Sequence, residues 1–422
     1  MVSLLQSRGK AMIVFDELLA PVLPIIRIVE QKRRAHFNEK LTWPDFTRIL
    51  IYFFTKNLVS ANELIVSLQA AESELGLPKT SKRALSEGFW RFPPALLQEV
   101  LTTSLHTLTL PKNPALSFIR AVHVVDGSVF PLIHEIAWPN IQGTINKIKL
   151  HLKFSLHTAL PIEFVLGDEH SSERAAFRSM LQAGQTYVLD RGYLEYQLVQ
   201  DVDDAQAGIV LRGYSNMDLQ TLEERPVSMP DAVHNHWSDV RDRIVKPRDP
   251  EAAHISFRLV ECTVGKTVYR LITNLLDLTT FQIILLYAYR WQIELVFRYL
   301  KHTMHGVHII TQHPRGMQNL FDGLFLTALL HMHFKQHCLA EEGHIPPQTV
   351  ADQPNSDDTS VTISRDVNRP TNHLAIARFL AQIQETLTRF WKISKHWLHI
   401  LADCLSRPYT SDIVHLLNKY AV

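Results

Sequence analysis

Between residues 119 and 215 the chain leaves helical periodicity for a series of short, β-branched apolar runs, and this constrains the fold more than any other feature. Val122-His123-Val124-Val125 runs into Asp126-Gly127-Ser128. Residues 149–155 alternate apolar and polar, and 162–166 form a further run after a turn near Pro161. Ser171 can cap a helix over 172–183, and Gly184 can end it. Tyr187-Val188-Leu189 runs into Asp190-Arg191-Gly192-Tyr193, a short helix is expected near 194–204, and 208–212 reads as a strand. The order is strand, strand, strand, helix, strand, helix, strand, which places the chain in the α/β class.

That order is the one found in a ribonuclease-H-like mixed sheet with flanking helices. Residues 1–118 read as helical: Phe46, Ile49, Leu50 and Phe53 recur at helical spacing, with Thr42 as cap and Pro44 in the first turn. This segment carries 14 Lys and Arg against 10 Asp and Glu, including Lys32-Arg33-Arg34. The excess suits either a DNA-contacting helical region or a solvated helix face. Residues 216–275 are polar and irregular until two β-prone runs, 257–264 and 267–273, flank Gly265-Lys266, so a β-rich insertion is expected there. A helix over 280–304 starts with a capping box at Thr279 and Gln282. Residues 316–340 are helical and apolar, 341–371 form a polar linker, and helices resume over 372–420. The expected division is therefore a helical region over 1–118, an α/β domain over 119–310 with its insertion at about 216–275, and a helical region over 311–422.

Composition excludes several function classes. With 46% hydrophobic and 20% charged residues among 422, the chain is neither disordered nor collagen-like. Its 43 Lys and Arg balance 42 Asp and Glu, which argues against a histone-like binder but not against an enzyme with a local basic surface. Cys262, Cys338 and Cys404 lie far apart, so a disulfide scaffold and a thiolate zinc site are not expected. No secretory leader and no long uninterrupted apolar run is present, and a cytoplasmic, DNA-containing location with no membrane role is the expectation. Phosphate-cradling Gly-rich loops are absent. The pairs His234/His236 and His331/His333, with His302, His305 and His308, lack the spacing of a closed zinc site.

The chemistry concentrates on the 280–304 helix. On a wheel of about 100 degrees per residue, Tyr287, Arg290, Glu294, Arg298 and Lys301 share one arc, while Leu286, Ile293, Val296, Phe297 and Leu300 face away. A single carboxylate among three cations and a phenol suits a metal ligand beside a phosphodiester. A solvated face laced with i,i+4 ion pairs would look the same. Asp126 and Asp190 favour the former, because carboxylates at the ends of neighbouring strands can hold two divalent cations about 3.5–4 Å apart.

Tyr287-x-x-Arg290-x-x-x-Glu294, with Lys301 seven residues on, resembles the Y-R-E-K signature of bacterial insertion-sequence transposases of family four, relatives of the transposon-five enzyme. Asp126-Gly127-Ser128 and Asp190-Arg191-Gly192-Tyr193 resemble that family's two aspartate motifs, and the resemblance covers about 119–310. It implies a DDE transposase acting on double-stranded DNA, at transposon ends and target, as a dimer in the DNA synapse. Asp126, Asp190 and Glu294 would be catalytic and bind two Mg²⁺ (or Mn²⁺) ions. Tyr287, Arg290, Lys301 and, beside them, Arg298 would contact DNA phosphates. The rival readings are a metal-dependent nuclease of the same fold without strand transfer, a non-catalytic DNA-binding relic, which would be expected to have lost an acid, and a two-carboxylate glycosidase, which would surround its acids with aromatic rings.

Overall fold

The computed structural model describes residues 15–341 apart from 36–38, 109–115, 138–143, 231–237, 265–266, 305 and 307. The expected linker at 341–371 from its second residue on, the helices over 372–420, the turn residues Gly265-Lys266 and the pair His234/His236 lie outside them.

Helices α1 (Leu23–Lys32), α2 (Trp43–Thr55), α3 (Ala61–Leu75), α4 (Lys82–Arg91) and α5 (Pro94–Thr107) precede the sheet. The Asp45 N–H donates to Thr42 Oγ1 at 3.3 Å, and Pro44 occupies the first turn of α2. From Trp43 to Phe54 that helix is apolar nearly all round, and it is buried nearly all round. The Lys32-Arg33 pair is engaged within the region: Arg33 bonds Glu30 at 2.8 Å and Glu39 at 2.5 Å, and Lys32 pairs with Glu99.

Strands β1 (Val122–Ala137), β2 (Thr144–Ser155), β3 (Leu160–Asp168), β4 (Thr186–Leu189), β5 (Gly208–Arg212), β6 (Leu219–Glu224), β7 (Ser238–Pro247), β8 (Phe257–Val264) and β9 (Thr267–Thr273) form one sheet, ordered β3-β2-β1-β4-β5-β9-β8-β7-β6. β1, β4 and β5 run parallel, and the other neighbours are antiparallel. Helix α6 (Glu173–Met180) crosses from β3 to β4, and α7 (Tyr196–Asp204) from β4 to β5.

Three expectations needed correction. β1 does not stop at Val125 but continues to Ala137, because β2 pairs with it from His123↔Ser155 through Pro131↔Lys147. Gly127, Ser128 and Pro131 are poor strand formers, yet cross-strand pairing outweighs local preference. β4 has left this edge after Val124, so a proline there removes no bond from the parallel ladder. The cap of α6 is Ser172, not Ser171, which instead bonds His151. The insertion contains β6 and β7 besides the expected hairpin, and it extends the main sheet because β9 pairs with β5, Val210 opposite Thr273. The high charge of β7 concealed it; tertiary pairing neutralises that charge. Arg258 and Asp242 form a buried pair at 2.6 Å, and Glu261 pairs with Arg270 at 2.9 Å and with Arg243.

The Arg258–Asp242 pair also anchors the segment that leads into the next helix. Arg258 donates to the Leu275 and Leu278 carbonyls, and the Thr280 hydroxyl donates to Asp242 Oδ2 at 2.7 Å. The insertion thereby holds the start of α8 (Thr280–Ala288), whose capping box forms as expected. Further along, the single helix expected over 280–304 is interrupted. Arg290 and Ile293 donate three residues back, to Tyr287 and Arg290, and the helix restarts as α9 (Trp291–Arg298) before a wider π-type turn over Tyr299–Thr303.

Helix α10 (Pro314–Glu341) lies between the N-terminal helices and the sheet. Asn319 donates to the Phe89 and Phe92 carbonyls, and Gly323 lets the helix close on Leu50. His331 contacts Thr55 Oγ1 and Tyr299 Oη, both at 3.1 Å, a structural role for one of the clustered histidines. On the sheet side Phe321 meets Phe130 edge-on at 5.3 Å, and Phe325 lies 4.4 Å from Phe164. A continuous apolar core links Phe53, Phe130, Val188 and Leu324. Phe321→Ala is expected to cost about 3–5 kcal/mol, as for other buried aromatics. Urea unfolding measures this, and a loss below about 1 kcal/mol would show that α10 does not seal the sheet.

Candidate active site

The central strands place the two aspartates side by side. Val122–Val124 of β1 pair in parallel with Thr186–Val188 of β4, and Val124↔Val188 is the last pair. Two residues further along each chain stand Asp126 and Asp190. Side chains alternate along a strand, so both aspartates continue the face of the preceding valine pair. The apolar runs are fully buried, which forces the polar continuation to the sheet's edge. By the same register Leu189 faces Leu211 on β5, and the next residues are Asp190 and Arg212.

Helices α8 and α9 lie across this edge. Tyr287 donates its hydroxyl to Asp190 Oδ1 at 3.2 Å. Arg290, at the break between the helices, donates from Nη2 to Glu294 Oε1 at 2.6 Å and brings Nη1 to 3.7 Å from Asp126 Oδ2. One guanidinium therefore faces a strand acid and the helix acid together. Lys301 donates to the Val129 carbonyl at 2.7 Å and lies over the Phe130 ring, tying the π-type turn to β1. Arg298 is exposed. The arc drawn on the sequence is thus not one uniform face: Tyr287 and Arg290 are turned inward, Lys301 is half-buried, and only Arg298 is fully open. The core face is as expected, with Leu286, Ile293, Val296, Phe297 and Leu300 buried.

Electrostatics mark the place as acidic. Burial pushes the Asp126 carboxyl up to about 6. The Gly127 N–H, at 2.8 Å, and Arg290 pull against that, while Asp190 and Glu173 add to it. Burial opposes charge on Arg290, but Tyr287, Asp190 and Glu294 hold it protonated, above its ordinary range. Burial and the neighbouring Asp190 raise the Tyr287 phenol. Among the described residues no three His, Cys, Asp or Glu side chains are grouped as an ion cage, since Arg290 lies between Asp126 and Glu294.

Sequence reading missed two charged residues. Arg212 ends β5 level with Asp190 and lies 4.7 Å over the Tyr269 ring, which neighbours Tyr287. Its position after the run 208–211 was the available signal. Glu173 stands beside Asp126 and pairs with Lys149 at 2.8 Å. An acid in a helix's first turn is commonplace, so nothing in the sequence set it apart.

The raised carboxyl has a consequence for stability. In the unfolded chain Asp126 ionises near its ordinary 3.8, but in the fold it keeps its proton up to about 6. Burying its charge therefore costs nothing below pH 4 and its full amount above pH 6. In metal-free buffer Asp126→Asn is expected to exceed the parent in stability by about 1–3 kcal/mol at pH 7.5, the gap closing near pH 4. Thermal melting across that range tests this, and a gap independent of pH would contradict it.

Comparison with known proteins bears on the same segment. The family described as the transposase DDE domain matches residues 119–330, half of the chain. A Sinorhizobium fredii protein named as a transposase, y4zB, is 27% identical over 185 residues, covering 43% of this chain and 51% of that protein. The transposase named for insertion sequence element IS5377 of Geobacillus stearothermophilus is 21% identical over 268 residues, covering 60% and 67%. The chain thus spans between about half and two thirds of the length of these relatives. From strand β1 to helix α10, the segment that carries Asp126, Asp190 and Glu294, the chain belongs to the transposase DDE domain family.

Proposed function

We propose that this chain is a DDE transposase that cleaves DNA strands at the ends of an insertion sequence and joins them to a target, in the group that resembles family four. The reading rests on one observation above all: Asp126 and Asp190 extend one register pair on adjacent parallel strands, and Arg290 reaches Asp126 and Glu294 at once. In this reading the sheet core β3-β2-β1-β4-β5 is ribonuclease-H-like and the β6–β9 segment is its insertion.

The donor set fits divalent cations. Asp126 and Asp190 supply hard oxygen ligands at an acidic edge, and Gly127 and Gly192 keep side chains out of it. Asp126, Asp190 and Glu294 would hold two Mg²⁺ or Mn²⁺ ions. When bound, such ions activate an attacking water or 3′-hydroxyl and stabilise the leaving oxygen. Arg290 now neutralises Asp126 and Glu294. Relieved of that role, it would bind a phosphate oxygen, as its planar, permanently charged group suits. Tyr287 orients Asp190 through its hydroxyl bond. Arg298, Arg212 and Lys301 supply further positive charge for the DNA backbone. Joining two element ends to one target calls for a dimer in the synapse, working where DNA is held, in the cytoplasm and on the nucleoid. Among the described residues no helix is long and apolar enough to cross a membrane.

A nuclease of the same fold would cleave without joining, and a DNA-binding relic would do neither. The discriminating experiment uses a labelled duplex built from the DNA flanking the reading frame, with Mg²⁺ present, alongside a mobility shift without metal. Glu294→Gln is expected to lower cleavage at least about 100-fold while binding persists. Arg290→Ala is expected to weaken binding by about 1.5–3 kcal/mol, the worth of a charge-assisted bond. Cleavage without joined product would favour the nuclease, and full cleavage by Glu294→Gln would refute the catalytic assignment.

A further inference from the structure

Two aspartates and one glutamate make up the proposed site, yet a fourth carboxylate stands closer to the two aspartates than the sequence suggested. Glu173 is the first residue of α6, just after Ser172, whose hydroxyl accepts from the Ala175 N–H at 3.3 Å. Its two oxygens span the two Asp-Gly turns. A Cβ on Gly127 would lie 3.3 Å from Glu173 Oε1, and a Cβ on Gly192 would lie 3.2 Å from Oε2. Both turns need glycine because this carboxylate occupies the space beside them.

Two buried polar atoms face the same place without partners. His151 is fully buried. Its Nε2 contacts Ser171 Oγ at 2.9 Å, while its Nδ1 is unbonded and would stand 3.4 Å from a Cβ on Gly127. Tyr193 is 1% exposed and its hydroxyl is unbonded. Burial first, then the charges of Asp126, Glu173 and Asp190, hold that phenol well above its ordinary range, which puts its hydroxyl within electrostatic reach of all three. Buried polar groups almost always have partners. Two orphans converging on an acidic turn mark a place built for a hydrated ion. Lys149, at 2.8 Å, is the cation that now balances Glu173.

We propose that Glu173 is a fourth carboxylate of the metal site, holding the ion shared by Asp126 and Asp190, with His151 and Tyr193 lining its hydration sphere. This rests on the proposed metal site. Glu294, held by Arg290, would serve the second ion from the opposite side.

The test titrates the metal-free full chain with Mn²⁺ at neutral pH and reads free Mn²⁺ by electron paramagnetic resonance, with melting in EDTA as a measure of fold. Glu173→Gln is expected to weaken Mn²⁺ binding 10- to 100-fold, the range seen when a group supporting a metal is removed, with melting unchanged. Lys149→Met removes only the balancing cation and is expected to leave Mn²⁺ affinity equal or tighter. Asp126→Asn and Asp190→Asn test the underlying site. If they weaken binding and Glu173→Gln does not, the fourth carboxylate is overturned and the site stands. Should neither aspartate variant weaken it, or the parent bind no Mn²⁺, the site and this inference fall together. If Glu173→Gln does not fold, Glu173→Asp keeps the acid in the first turn and shortens its reach; parent-like affinity in that variant overturns the proposal.

Discussion

Everything at the candidate site depends on the parallel pairing of β1 with β4. The two strands share only a few residues, Val122–Val124 against Thr186–Val188, and they belong to segments more than sixty positions apart in sequence. Their apolar side chains are removed from water on both faces, which is the usual condition of a parallel ladder. Where that ladder ends, the next side chains on the same face are both carboxylates. Without the register Val124↔Val188, Asp126 and Asp190 would be two ordinary turn acids.

A second constraint is electrostatic. An edge with Asp126, Asp190, Glu173 and Glu294 needs positive charge to be stable, and the chain provides it from three directions. Arg290 comes from the break between α8 and α9, Lys149 from β2, and Arg212 from the end of β5. The balance is incomplete, as the carboxyl of Asp126, raised to about 6, shows. Incomplete neutralisation is what a site for divalent cations and phosphate requires: enough charge to fold, and enough left over to bind.

The β6–β9 extension has a mechanical part in this. Its buried Arg258–Asp242 pair fastens Thr280 and the Leu275 and Leu278 carbonyls, so the glutamate helix starts from a fixed point on the same sheet that carries the aspartates. A buried ion pair is a weak source of stability. Here its donors and acceptors are used up in positioning a helix, and the α10 rings of Phe321 and Phe325 hold the opposite end of the sheet.

The sequence by itself determined the order of strands and helices over 119–215, the hairpin of β8 and β9, the caps at Thr42 and Thr279, and the buried side of the 280–304 segment. Each of these follows from local chemistry: β-branched runs, hydroxyl caps and apolar spacing. The residues Asp126, Asp190 and Glu294 were legible as well, since two stand directly after or within apolar runs and the third among cations on a helix. Tertiary structure decided the rest. It extended β1 past Gly127 and Pro131, because pairing with β2 outweighs intrinsic preference. It drew β7 into the sheet, because partners on β8 and β9 cancel charges that look solvated in the sequence. It broke the glutamate helix at Arg290, where three-residue bonds turn the guanidinium toward Asp126 and leave Arg298 outside. And it set Glu173 across both Asp-Gly turns, a juxtaposition between distant segments that no periodicity or local spacing records.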